Sequence, residues 1–188
     1  MSALNAALEL ARGGYTQEIG VLMRTVTEFT NHIKFVLTAK SPKYKAIAEK
    51  YVEEYFADSA RVLGTHNRAQ VRENIVHEAL EEALGKFAPA GISTAKLSSN
   101  VYLGVCYYVH GRYPEIMDLY GGIPGRFHCR GMSGTPKDME NLATLETFIE
   151  SATTAFVLMV QALNLKHLIE GDPILTKWYS DFFETSNR

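Results

Sequence analysis

Apolar positions in this chain recur at steps of three and four. Ile19, Leu22, Val26, Phe29, Ile33 and Val36 follow that rule, and so do Leu142, Leu145, Ile149, Ala152, Phe156, Met159 and Leu163. Such steps lay one apolar stripe along a helix. No stretch alternates strictly enough to argue for a sheet, and no internal repeat is present. The pattern predicts two long helices at the centre of an antiparallel bundle. The second has a clear start: Thr135 can cap it, Pro136 suits its first turn and Asp138 stands where a capping carboxylate belongs.

Shorter helices are expected over residues 2–12, closed by Gly13-Gly14, and over 42–63, with Pro42 near the start. Two more are expected over 67–87 and 94–110, separated by Pro89 and Gly91. Residues 111–136, "GRYPEIMDLYGGIPGRFHCRGMSGTP", hold six glycines and three prolines, with room for one helical turn over 115–120. A connection of that length inside a compact domain is more often functional than filler. The tail, 172–184, reads as a short aromatic helix covering the core or a partner. The expected fold is an all-α antiparallel helical bundle, residues 1–188 as one domain, with one long irregular loop before the last long helix.

Composition narrows the function. The 188 residues are 46% hydrophobic and 21% charged, with a net charge of −2, as in an ordinary globular protein. A nucleic-acid site would therefore have to be a local basic patch. Cys106 and Cys129 lack partners at metal-ligand spacing and point to a reduced, cytoplasmic compartment. No signal peptide or membrane-spanning run is apparent, so no membrane partner is expected.

Two clusters can carry chemistry. The first is "RENIVHEAL", in which Arg72 precedes His77. Metal-independent RNA cleavage needs a group that exchanges protons and a cation that stabilises the phosphorane; histidine and arginine supply these. On one continuous helix the two side chains point about 140° apart. They converge only if a helix end or kink falls between them, or if a second chain completes the site. The bland alternative has Val71, Ile75, Ala79 and Ala83 facing the core and His77 on the flank.

The second cluster surrounds His110. Gly111 can close the preceding helix in a left-handed turn, and Pro114 disfavours helical geometry at Tyr113. His110 then sits in a last helical turn, where the dipole favours its protonated form. Arg112, Arg126, His128 and Arg130 follow within residues 110–130, a credible anion-binding lining in a slightly acidic protein. Pairing with carboxylates such as Glu115 and Asp118 would explain the same residues. Arg24 and Glu28 lie one turn apart, opposite the apolar stripe. A solvated ion pair is the default there, although Val21 and Phe35 share that face.

The arginine–four residues–histidine motif, with Asn74 two after the arginine and Glu78 after the histidine, resembles the signature of the HEPN superfamily, especially its HepT-like toxins. A second stretch, "ARGGYTQEIGVLMRTVTEF" at 11–29, is similar to a HEPN-like family related to abortive-infection proteins. There the equivalent of a later histidine segment is "VYLGVCYYVHGRYPEIM" at 101–117. No arginine stands four to six residues before His110, so either Arg112 serves or the segment is not a ribonuclease site. The resemblance implies a small all-helical homodimer acting on RNA without metal in a toxin–antitoxin or phage-defence setting, with a cognate antitoxin or other protein partner. It implies His110 as acid/base and Arg112 as phosphate clamp, with Arg72 and His77 as the alternative pair. Arg24 and Glu28 would lie beneath the active histidine as supporting residues, together with Asn74. The order of helices favours the His110 segment.

Other classes fit less well. None of the six histidines has a glutamate three residues before it, as a di-iron bundle would want. A charged helix face explains His77, Glu78, Glu81 and Glu82 at lower cost than a metal site. Walker, dinucleotide and nucleophile-elbow motifs are absent, so no cofactor is expected. Two further readings remain: a non-catalytic HEPN-like module binding a nucleotide or protein, and a structural dimerisation bundle.

Overall fold

The computed structural model describes residues 2–59, 71–87, 91–117, 119–120 and 127–183. The expected end of the helix over 60–63, the start at 67–70, Pro89, Asp118, Arg126 and Glu184 lie outside the described residues, as do the side chains of Glu115 and Leu142. The architecture is all-α: α1 (Ser2–Arg12), α2 (Thr16–Thr38), α3 (Pro42–Ser59), α4 (Glu73–Leu84), α5 (Thr94–Val109), α6 (Tyr113–Met117), α7 (Pro136–Ala162) and α8 (Pro173–Phe183). No strand occurs among the described residues; the one extended pairing is a bridge between Tyr120 and Phe127. None of the helices searched is long and apolar enough to cross a membrane. Both cysteines are free thiols.

Helix ends follow local chemistry. At the end of α1, Tyr15 N–H bonds Leu10 O at 3.0 Å and Gly14 N–H bonds Ala11 O at 2.9 Å. Gly14, at φ +70°, takes the left-handed position that closes such a motif without a Cβ clash. The same motif ends α5, with Gly111 at φ +57° and bonds from Arg112 N–H to Tyr107 O and Gly111 N–H to Tyr108 O. α7 starts at Pro136 as expected, but Thr135 does not cap with its side chain, which donates to Met132 O at 2.7 Å. Asp138 instead accepts from Gly134 N–H at 3.2 Å. The turn expected at 115–120 lies at Tyr113–Met117, and Tyr113 is helical despite Pro114. Pro114 falls in the first turn, where its missing N–H costs little.

α2 is the hub, packed by α1, α3, α4, α5 and α7. Contacts between residues 28 and 102, and 31 and 98, make α5 antiparallel to it. α7 runs alongside in the same direction, because Met132 N–H meets Gly14 O while Ser151 meets Lys34. One apolar cluster joins Leu4, Ala7, Ile19, Met23, Val26, Val105, Leu145 and Phe148; another joins Phe35, Tyr44, Ala48, Val76, Ala79 and Leu80. The stripe read from α2 matches the buried face at Ile19 and Val26 and leaves it from Phe29 onward. Phe29 is 64% exposed, whereas Met23, Thr27, Thr30, Asn31 and Phe35 are buried. Steps averaging 3.4 residues drift away from the 3.6-residue turn. Two buried hydroxyls on that face are satisfied within the helix, Thr30 by Thr27 O and Thr38 by Lys34 O.

Candidate functional site

α4 begins one residue after Arg72, which is extended (φ −64°, ψ 135°) and whose carbonyl accepts Ile75 N–H at 2.9 Å and Val76 N–H at 3.3 Å. A helix end therefore falls between Arg72 and His77, and the two are not on one continuous helix. Arg72 and Asn74 face solvent. His77 points inward and is 5% exposed.

The geometry centres on Glu73, in the first turn of α4, where the helix dipole favours a carboxylate. Glu73 Oε1 lies 3.3 Å from His32 Nε2, and Glu73 Oε2 lies 3.6 Å from His77 Nε2. His32 Nδ1 is 3.0 Å from the Tyr51 hydroxyl, on α3. Glu73 thus stands between two imidazoles, one of them coupled to a phenol. Its contacts with the rings are electrostatic, longer than good hydrogen bonds. His32 Nε2, Glu73 Oε2 and His77 Nε2 are buried without a hydrogen-bond partner. Buried polar atoms are rarely left so, and three in one cluster mark it out. Burial pushes the His77 imidazole below its usual range, and Glu73 offsets part of that.

Arg24 and Glu28 join this cluster; they meet the 101–117 segment at Tyr102, and no contact given by the structure carries them to His110 itself. Arg24 Nε donates to Glu28 Oε1 at 3.1 Å, and the Tyr102 hydroxyl donates to the same oxygen at 3.4 Å. The Tyr102 ring meets His77 edge-on with centroids 6.1 Å apart. Burial, followed by its contact with Cys106, pushes the Tyr102 phenol up to about 12.

Beside Tyr51 a groove of about 510 Å³ opens between α3 and the start of α4, lined by Ile47, Lys50, Tyr51, Glu54, Arg72 and Ile75 among others. Its size is that of a small-molecule or nucleotide site. It brings Arg72, Lys50 and the Tyr51 end of the Tyr51–His32–Glu73 row to one surface. Lys50 is 3.6 Å from Glu54, an exposed pair that screens weakly.

The His110 cluster is less assembled. His110 caps α5 and is exposed, as are Arg112 and Arg130, while His128 is half-buried. The Arg112 guanidinium lies 3.9 Å over the Tyr107 ring, and His128 N–H bonds Leu119 O at 2.7 Å. Among the described residues no hydrogen bond or ion pair joins His110, Arg112, His128 and Arg130 to one another. No group of three His, Cys, Asp or Glu side chains among the described residues could hold a metal ion.

Sequence reasoning missed His32, Tyr51 and Glu73. A signal was present: Arg24, Glu28 and His32 step by four along α2, so one face of that helix carries a charged ladder ending in an imidazole. The arrangement is a hydroxyl hydrogen-bonded to a histidine that a carboxylate faces from behind, the general layout for moving protons. No family model, curated protein or solved structure matches the chain.

Proposed function

We propose that this chain is a HEPN-like, RNA-directed protein that cleaves phosphodiester bonds without metal, and that its site is the groove between α3 and α4, in place of the loop after His110. The observation that supports this reading is the Tyr51–His32–Glu73 row ending on a groove that also carries Arg72.

In this reading Arg72 and Lys50 hold the phosphate, the planar fork of Arg72 matching its oxygens. The RNA 2′-oxygen forms a bond to phosphorus and releases its proton to water, and the bond from phosphorus to the 5′-oxygen breaks. The departing 5′-oxygen takes a proton from Tyr51, and His32 restores that proton through its Nδ1. Glu73 balances the charge on the His32 ring while it holds the second proton. The products are a 2′,3′-cyclic phosphate and a 5′-hydroxyl. His77, Tyr102, Glu28 and Arg24 hold the row in place from behind. A homodimer, and a protein partner such as an antitoxin covering the groove, belong to the same proposal.

The test is cleavage of total RNA and of tRNA in EDTA. Tyr51→Phe and His32→Ala should each lower the rate by about a hundredfold or more, the usual weight of a proton-transfer group. His110→Ala should leave it unchanged. Loss of cleavage in His110→Ala alone would return the site to the loop. Wild-type protein that binds RNA in the groove without cutting it would make the groove a nucleotide-binding module.

A further inference from the structure

A second polar feature lies on the other side of α2. Lys34 is two residues from His32, about 200° around the helix axis. It lines a partly open cavity of about 190 Å³ between α2, α4, α5 and α7. Its Nζ donates to Ser151 Oγ at 2.8 Å, and its other N–H groups have no partner among the described residues. Among the described residues Lys34 is the one charged side chain in the lining, and no carboxylate lines the cavity beside it.

Two observations fit the cavity to an anionic ligand. Lys34 is half-buried; an ammonium drawn out of water without a counter-charge is unfavourable, and that desolvation pulls its amine down to about 8. Thr27, also in the lining, is 6% exposed, and its Oγ1 has no hydrogen-bond partner. Donors from Lys34, Thr27 and Asn31 thus share a space whose remaining wall includes Leu84, Val101 and Phe148. A largely apolar cavity with a few convergent polar groups is the usual make-up of a small-molecule site. Phosphate or sulfate would want donors on most sides, and hydrocarbon occupies much of this wall. The volume lies below the range that holds drug-sized ligands, so the occupant is small. Leu97, 56% exposed, stands at the rim.

We propose that this cavity binds a small monocarboxylate with an apolar body, the carboxylate on Lys34 and Thr27 and the body against Leu84, Val101 and Phe148. The site is separate from the RNA groove, and its test uses no RNA, so either can fail without the other.

The experiment is calorimetric titration of the full chain at pH 7 with sodium benzoate, with benzamide as the uncharged analogue and with inorganic phosphate. Benzoate should bind saturably, and benzamide and phosphate should not. Lys34→Met should weaken benzoate binding by about tenfold or more, the value of one charge-assisted contact. A readout on wild-type protein does not depend on that variant folding. Lys34 loses its proton near pH 8, so benzoate affinity should fall about tenfold between pH 7 and pH 9. No saturable benzoate binding, equal binding by Lys34→Met, or an affinity flat from pH 7 to pH 9 would each overturn the proposal.

Discussion

His77 should make the stability of the fold depend on pH. It is buried against Glu73, with His32 on the far side of that carboxylate and Tyr102 at its edge. Its folded-state pKa lies below the ordinary 6.5 because burial disfavours the charged ring, so in that window the unfolded chain binds the proton first. The stability it contributes is complete above about pH 6.5 and is lost as pH falls toward the folded value. Urea midpoints should therefore drop between pH 7 and pH 5, and His77→Phe should flatten that slope. Glu73→Gln removes the one opposing charge and should steepen it. Identical slopes in wild type and His77→Phe would show that His77 does not titrate with unfolding. The Arg24–Glu28 pair was legible as an i,i+4 ladder, but its histidine was not. His110 lies eight residues beyond Tyr102, about 12 Å farther along α5, and only the packing of α4 on α2 reveals that His77 and His32 are the neighbours.

Helix boundaries were the most legible feature at the level of elements, because their causes are local. Gly13-Gly14, Gly111 and Pro136 each mark an end or a start through backbone geometry that few other residues permit. The phase of α2 was legible at Ile19 and Val26 but not beyond them. Its buried face includes Thr27, Thr30, Asn31 and Thr38, residues that a hydropathy pattern assigns to solvent, and two of these threonines satisfy themselves on α2's own carbonyls. The docking of the long loop was also hidden, because it is a contact between backbones. A Cβ on Gly131, at φ +91°, would lie 2.1 Å from Gly13 O, and one on Gly14 would lie 2.3 Å from Ser133 N. The loop end and the α1–α2 turn approach so closely that neither tolerates a side chain. Gly131→Ala combines an overlap with a rigid carbonyl and a disfavoured backbone angle, and should cost about 2–3 kcal/mol or more. Gly134→Ala, also at positive φ but with open space around it, separates the two effects and should cost about 1–2 kcal/mol. Thermal denaturation of both variants measures the difference; equal losses would mean that strain alone, and not the approach to Gly13, matters at Gly131.

Charge decides the last question at the scale of the whole molecule. A net charge of −2 gives no general attraction for RNA, so binding has to come from whichever cations the fold gathers. Among the described residues the groove offers two, Lys50 and Arg72, and the loop sequence holds Arg112, Arg126 and Arg130. Each phosphate contact releases counterions, and for single strands log K falls by about 0.7 per contact against log salt. Binding in the groove predicts a slope of about −1.4 for a short single-stranded RNA titrated from 50 to 300 mM KCl. Arg72→Ala should halve that slope, and Arg112→Ala should not change it. Binding on the loop predicts about −2 or steeper and a slope indifferent to Arg72. Fluorescence anisotropy in EDTA with Tyr51→Phe, which should bind without cutting, gives the slope directly. An Arg72-independent slope would move RNA to the loop whatever the chemistry of Tyr51 and His32, because a phosphate held there has no contact given by the structure to that row.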